Sequence, residues 1–157
     1  MNSIYKLRVA SKAVVESDNQ ILILQPSKID QNKKWHIPGG IRDNINEPLK
    51  QTAIREVAEE TGLNLEGLPT KVVYASEWKA KDKGEEVNIV AIFFHFKLPT
   101  RQNVNLSEEH KGYAWINKQN IENYVCTPEV IEILDIVLNP SPHYAKATKW
   151  HSSKRAF

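Results

Sequence analysis

The chain has 157 residues, with 21 Lys and Arg against 19 Asp and Glu, a formal charge of +2, and 41% hydrophobic residues. That is enough chain for one globular domain and too little for two comfortable cores. No stretch approaches the roughly 20 apolar residues that cross a bilayer. The N-terminal residues lack the apolar centre of a secretory signal. The single Cys126 supports neither a disulfide framework nor a paired-cysteine zinc site, so a cytoplasmic setting is expected. The charge is unevenly placed: residues 139–157 hold Lys146, Lys149, Lys154 and Arg155 and no acid, which leaves residues 1–138 slightly acidic. So weak a balance argues against a protein that coats nucleic acid, but leaves room for a small anionic ligand.

Residues 6–15 (KLRVASKAVV) and 20–25 (QILILQ) read as two strands around a turn at Asp18-Asn19, a hairpin. Residues 26–34 are a polar loop with Lys28, Lys33 and Lys34. Next comes Trp35-His36-Ile37-Pro38-Gly39-Gly40, where the glycine pair permits unusual backbone shapes and Pro38 stiffens the approach. A helix is predicted over residues 47–61, with Asn46 as N-cap, Pro48 in the first turn and Gly62 as the stop. Residues 70–80 and 86–98 read as strands around a polar turn, and 113–116 as a further short strand. Thr127 and Pro128 open a second helix with an apolar face of Ile131, Leu134, Val137 and Leu138. The pattern fails beyond Leu138, at Pro140 and Pro142. Residues 1–138 therefore read as the domain and 139–157 as a basic tail that Tyr144 and Trp150 could anchor.

The segment Arg55-Glu-Val-Ala-Glu-Glu-Thr-Gly-Leu63 carries the chemistry. At about 100° per helical residue, Glu56, Glu59 and Glu60 share an arc of about 100°, while Ala53, Val57 and Ile54 lie on the adjoining arc. One side can pack on a sheet while its edge presents acid. Three such neighbours raise one another's proton affinity unless a positive charge neutralises them. A hard divalent cation such as Mg²⁺ does so, and commonly bridges carboxylates to phosphate oxygens. Arg55 can fix a neighbouring carboxylate through its planar fork. The plain alternative is a solvated helix face. Against it stand the preceding Pro-Gly-Gly turn and Glu47, eight positions before Arg55.

At this point the sequence resembles the Nudix hydrolases, MutT-like proteins whose signature is Gly, five residues, Glu, seven residues, Arg-Glu, an aliphatic, any residue, Glu-Glu, any residue, Gly, an aliphatic. The second half matches throughout: Glu47, then Arg55-Glu56-Val57-Ala58-Glu59-Glu60-Thr61-Gly62-Leu63. In the first half six residues, not five, separate Gly40 from Glu47, which reads as a one-residue insertion in residues 41–46.

The resemblance implies the Nudix fold, an α/β arrangement with a mixed sheet between helices. It implies a Mg²⁺-dependent pyrophosphohydrolase, with Mn²⁺ as the alternative cation, that cleaves a nucleoside diphosphate derivative by water attack on phosphorus. Glu56, Glu59, Glu60 and the Gly39 carbonyl would be the metal ligands. Arg55 would orient a catalytic carboxylate, and Glu47 would secure the join of loop and helix. The general base would be a glutamate of the box or Glu109, in the loop before the short strand 113–116. Trp35, His36 and Gly40 are the substrate-binding candidates, and Trp78 and Tyr74 could also stack a base.

His95 reads as a packed or rim residue, His143 and His151 as tail residues, and Cys126 as a thiol near a helix start, where its pKa could fall. Within the family, a Pro or Tyr about 16 or 17 positions past the box accompanies ADP-ribose or dinucleoside polyphosphate hydrolysis. Those positions are Lys79 and Ala80 here. A nucleoside triphosphate, oxidised forms included, is therefore the leading substrate, with nucleotide sugars or ADP-ribose next and a non-catalytic binding module as the rival class. The expected partner is a small nucleotide, with no membrane or nucleic acid, and with a homodimer left open.

Overall fold

The computed structural model describes residues 6–27, 34–82 and 84–139. The tail 140–157, with His143, Tyr144, Trp150 and His151, lies outside the described residues, as do Lys28 and Lys33. In chain order the elements are β1 (Leu7–Ser17), β2 (Gln20–Pro26), β3 (Gly39–Ile41), α1 (Leu49–Thr61), β4 (Thr70–Asp82), β5 (Glu85–Lys97), β6 (His110–Ile116), a single 3-10 turn (Ile121–Asn123) and α2 (Pro128–Leu138).

Six strands form one mixed sheet in the order β4-β5-β1-β2-β6, with β3 pairing on β1. β1 runs parallel to β5 along its whole length, from Leu7 opposite Asn88 to Glu16 opposite Lys97. The other pairings are antiparallel. Side chains alternate across a strand, so β1 and β2 feed two cores at once. Ala10, Val14, Ile21 and Ile23 face the core that α2 closes with Val130, Ile133 and Leu134. Ala13, Val15, Leu22 and Leu24 face the core that α1 closes with Ala53, Ile54 and Val57. The sheet thus lies between two helices, as expected. Both strands are buried on two faces, which explains the unbroken apolar run of residues 21–24.

Asp18 and Asn19 both take positive φ, 50° and 58°, the tight hairpin turn that matches the twist of paired strands. Only the turn end of that hairpin is closed, with Glu16 opposite Ile21 and Ser17 opposite Gln20. Further along, residues 36–41 are inserted between β1 and β2. Ala13 N–H donates to the Pro38 carbonyl at 3.0 Å, and His36 exchanges backbone hydrogen bonds with Leu24 at 2.9 and 3.0 Å. β3 then pairs with residues 10–12 of β1. The sheet is split along this seam, and the Pro-Gly-Gly segment is stitched to a strand on each side.

Two expectations need correction. The first helix starts at Leu49, not at residue 47, and Pro48 rather than Asn46 takes the cap position, without a side-chain cap. The α region is disfavoured for a residue before proline, and Glu47 accordingly lies outside the helix. On α2 the buried face is Val130, Ile133 and Leu134, while Ile131 is 54% exposed. The true stripe is thus Val130, Ile133, Leu134 and Val137, at the i, i+3, i+4, i+7 spacing. No helix among the described residues is long and apolar enough to cross a membrane.

Candidate active site

α1 sets the register of the acidic row. Its last turn closes through Gly62, at φ 70°, whose N–H donates to the Ala58 carbonyl at 2.9 Å. Its first turn is tied by Glu47, which accepts from the Thr52 hydroxyl at 2.8 Å and from Arg55 Nε and Nη2 at 3.0 and 3.3 Å. The other arm of Arg55, Nη1, stands 2.8 Å from Glu56 Oε1 and 3.1 Å from Glu59 Oε2. One guanidinium therefore holds three carboxylates in fixed geometry, and these bonds raise its own pKa further. The bonds from Arg55 and Thr52 lower the pKa of Glu47.

Glu56, still held by that hub, and Glu60, outside it, both reach the seam. The Glu56 carboxylate lies against Gly40, where any Cβ would run into it. Glu60 is only 6% exposed and accepts the Gly39 N–H at 2.7 Å. Gly39 has φ 124°, and a Cβ there would clash with the Ser11 carbonyl oxygen. Gly39 is thus required by its backbone conformation and close approach, while a side chain at Gly40 would displace the Glu56 carboxylate. Burial pushes the Glu60 carboxyl up to about 7, against the pull of Lys12 and the Gly39 N–H, with Glu56 and Glu109 adding to the rise. Burial raises Glu56 as well, while Arg55 draws it down.

Sequence reading missed Lys12. Its ammonium, carried on β1, donates to the Gly39 carbonyl. Burial lowers its pKa, and Glu60, Glu56 and Glu129 oppose that fall. The available signal was a lysine at an inward position, between Ala10 and Val14 in an apolar strand. His110 was also missed: it is buried, with Nε2 3.6 Å from Glu60 Oε1 and its ring 5.4 Å from that of His36. Burial lowers both histidines, His36 to about 4, and the Lys12 charge adds to the effect on each.

Glu109 is exposed in the turn before β6, and its charge is felt at Glu60 and His110. Glu59 is the outlying acid of the box, with its side chain 59% exposed and held by Arg55. Among the described residues no group of three His, Cys, Asp or Glu side chains stands together as a metal-holding cluster. What the seam does gather is Glu56, Glu60 and the Gly39 carbonyl. These are hard oxygen donors, suited to Mg²⁺ or Mn²⁺, with the Lys12 charge beside them.

On the α2 side of the seam opens a cavity of about 630 Å³. Lys12, His36 and Glu129 stand on its border, and Trp78 and Phe93 line it with aromatic surface. Tyr74 packs edge-on to Phe93 at 5.4 Å and donates its hydroxyl to Glu132 at 2.7 Å. Trp35 packs edge-on to Tyr124 at 5.0 Å instead of lining the cavity. His95 is bonded to the buried Glu16 at 2.8 Å. Cys126 reverses its expected shift: burial pushes the thiol up to about 11.

The profile of the NUDIX domain matches residues 6–133. An uncharacterized Nudix hydrolase of Bacillus subtilis strain 168 is 30% identical over 134 residues, 84% of this chain and 80% of that protein. A CTP pyrophosphohydrolase of Escherichia coli K12 is 25% identical over 124 residues, 78% of this chain and 85% of that protein. The crystal structure of a MutT protein from Methanosarcina mazei Go1 superposes with a TM-score of 0.69 at 20% identity, covering 94% of this chain and 99% of that one. The chain belongs to the Nudix family, hydrolases of nucleoside diphosphate derivatives. It is an enzyme of the pyrophosphohydrolase type, acting on small nucleotide substrates.

Proposed function

We propose that this enzyme is a divalent-metal-dependent hydrolase of a nucleoside triphosphate, oxidised forms included, releasing the monophosphate and pyrophosphate. The observation that carries the reading is the pair Glu56 and Glu60, brought to the Gly39-Gly40 loop, whose Gly39 carbonyl is bonded by Lys12 from the border of the cavity. Glu56, Glu59 and Glu60, with the Gly39 carbonyl, would hold Mg²⁺ or Mn²⁺. Such a cation shields phosphate charge and lowers the pKa of water.

The chain's own residues do the rest. Arg55 keeps Glu56 and Glu59 aligned by anchoring itself on Glu47. Lys12 meets the negative phosphate chain, and a desolvated ammonium on the cavity border is well suited to that. Glu109, exposed to water beside Glu60 and His110, is the general base in this reading, with a box glutamate as the other candidate. His36 and Gly40 shape the entry for substrate, and Trp35 supports that edge from behind. Residues 1–138 form the catalytic domain, 139–157 a basic appendage, and the cytoplasm is the setting.

The test is a panel of nucleotides with product analysis, with and without Mg²⁺ or Mn²⁺. Monophosphate and pyrophosphate are expected only with the cation. Metal-independent turnover would overturn the reading, and so would no turnover of any nucleotide. Glu60→Gln or Glu59→Gln should cut kcat by orders of magnitude with the fold intact by circular dichroism; unchanged turnover would remove the box helix from the chemistry.

A further inference from the structure

One residue of the seam is held from two directions. Gly39 donates its N–H to Glu60 at 2.7 Å and accepts the Lys12 ammonium on its carbonyl. The sheet builds this pairing in. Lys12 stands directly opposite Gly39 in the β1–β3 register, and its aliphatic stem fills the space where a Cβ at position 39 would project. The ammonium is desolvated there and feels the charges of Glu60, Glu56 and Glu129. Burying an ammonium is costly unless acids and dipoles offset it. Here the groups that do so include Glu56, Glu60 and the Gly39 carbonyl, the same hard oxygens that suit a divalent cation. Arg55 already covers Glu47, Glu59 and one oxygen of Glu56. The acids of the seam are thus largely balanced by cations of the chain itself.

We infer, building on the cation-dependent hydrolase reading, that Lys12 is an internal counter-cation: it opposes a lone Mg²⁺ or Mn²⁺ at the Gly39 carbonyl and gives way when a phosphate chain takes up its ammonium. Like charges that share one oxygen in a partly desolvated site repel strongly. A nucleotide removes the conflict, because charged phosphate oxygens are better acceptors for the ammonium than a neutral carbonyl. Lys12 stands on the cavity border and carries its charge on a flexible four-carbon stem. It can therefore turn from Gly39 to a ligand in the cavity without any movement of β1. The consequence is an order of assembly. A cation alone binds weakly, whereas cation and phosphate chain bind cooperatively.

The test is Mn²⁺ binding to the full-length chain without nucleotide, read by electron paramagnetic resonance of the free ion, so that no turnover is required. Lys12→Met keeps the stem and removes the charge, and should bind Mn²⁺ roughly 10- to 100-fold tighter than wild type. Lys12→Arg keeps the charge and should stay within about threefold of wild type. Glu60→Gln should weaken binding in both backgrounds, which locates the ion. A second measurement uses the unaltered protein and stands even where Lys12→Met fails to fold. Acetylation by acetic anhydride is followed by mass spectrometry with and without saturating Mg²⁺. Labelling of Lys12 should speed up severalfold relative to the exposed Lys50 as the ammonium leaves Gly39.

Mn²⁺ binding by Lys12→Met that is equal to wild type or weaker would overturn the proposal and make Lys12 a structural prop. Lys12 labelling that Mg²⁺ leaves unchanged or slows would do the same. Mn²⁺ bound through Glu60 but indifferent to Lys12 refutes this assignment and leaves the hydrolase reading standing. No Mn²⁺ binding by either protein refutes both.

Discussion

His36 offers a quantitative test of how firmly the seam is packed. Its pKa is lowered from 6.5 to about 4, first by burial and then by the Lys12 charge. The unfolded chain takes up a proton near 6.5, and the folded protein refuses it until much lower pH. Stability from this residue is therefore present above pH 6.5 and lost as pH falls toward 4. Linkage gives a loss of about 2.5 kcal/mol between pH 7 and pH 4.5. In a domain of this size that is roughly 5–10 °C in Tm. His36→Gln cannot titrate, so the gap between variant and wild type should open in the variant's favour on acidification and vanish near pH 7.5. Urea unfolding across pH 4.5–8 in chelator-treated buffer measures it. Parallel curves for the two proteins would refute the claim that His36 is held neutral by its surroundings.

Three further outcomes are expected. Gly39→Ala places a Cβ against the Ser11 carbonyl at φ 124° and should lower stability by about 3 kcal/mol or more, read by denaturant midpoint. Arg55→Lys loses the fork that grips Glu47, Glu56 and Glu59 together; kcat should fall about 10- to 100-fold with a stability change under about 1 kcal/mol. Cys126, half-buried and with its thiol pushed up to about 11, should alkylate more slowly at pH 7.5 in the native state than in denaturant; equal rates would contradict the raised pKa.

Much of the architecture was legible because it rests on local chemistry. Asp18-Asn19 announces a turn whose positive φ angles suit small polar side chains, and Gly62 stops α1 as glycine does. The carboxylate row follows from helical spacing alone. The start of α1 was misread because Pro48 looked tolerable in a first turn, whereas its effect falls on Glu47 before it. β3 escaped notice because three residues carry no periodicity; it is a strand only because β1 lies beside it. Lys12 escaped for a similar reason. Its partners Gly39, Glu60 and Glu129 are distant in sequence, and only the topology brings their charges together. Cys126 sits near a helix start, but the core around it outweighs the helix field.

The split between β1 and β2 joins the two faces of one sheet at a single place. The acids reach the gap from the α1 face, while the wall of the cavity is built on the α2 face, and residues 36–41 are the partition through which the two communicate. Under the proposed function, substitutions in α2 or β4 reshape the cavity while the box acids stay in place, and repacking beneath α1 shifts those acids without reshaping the cavity.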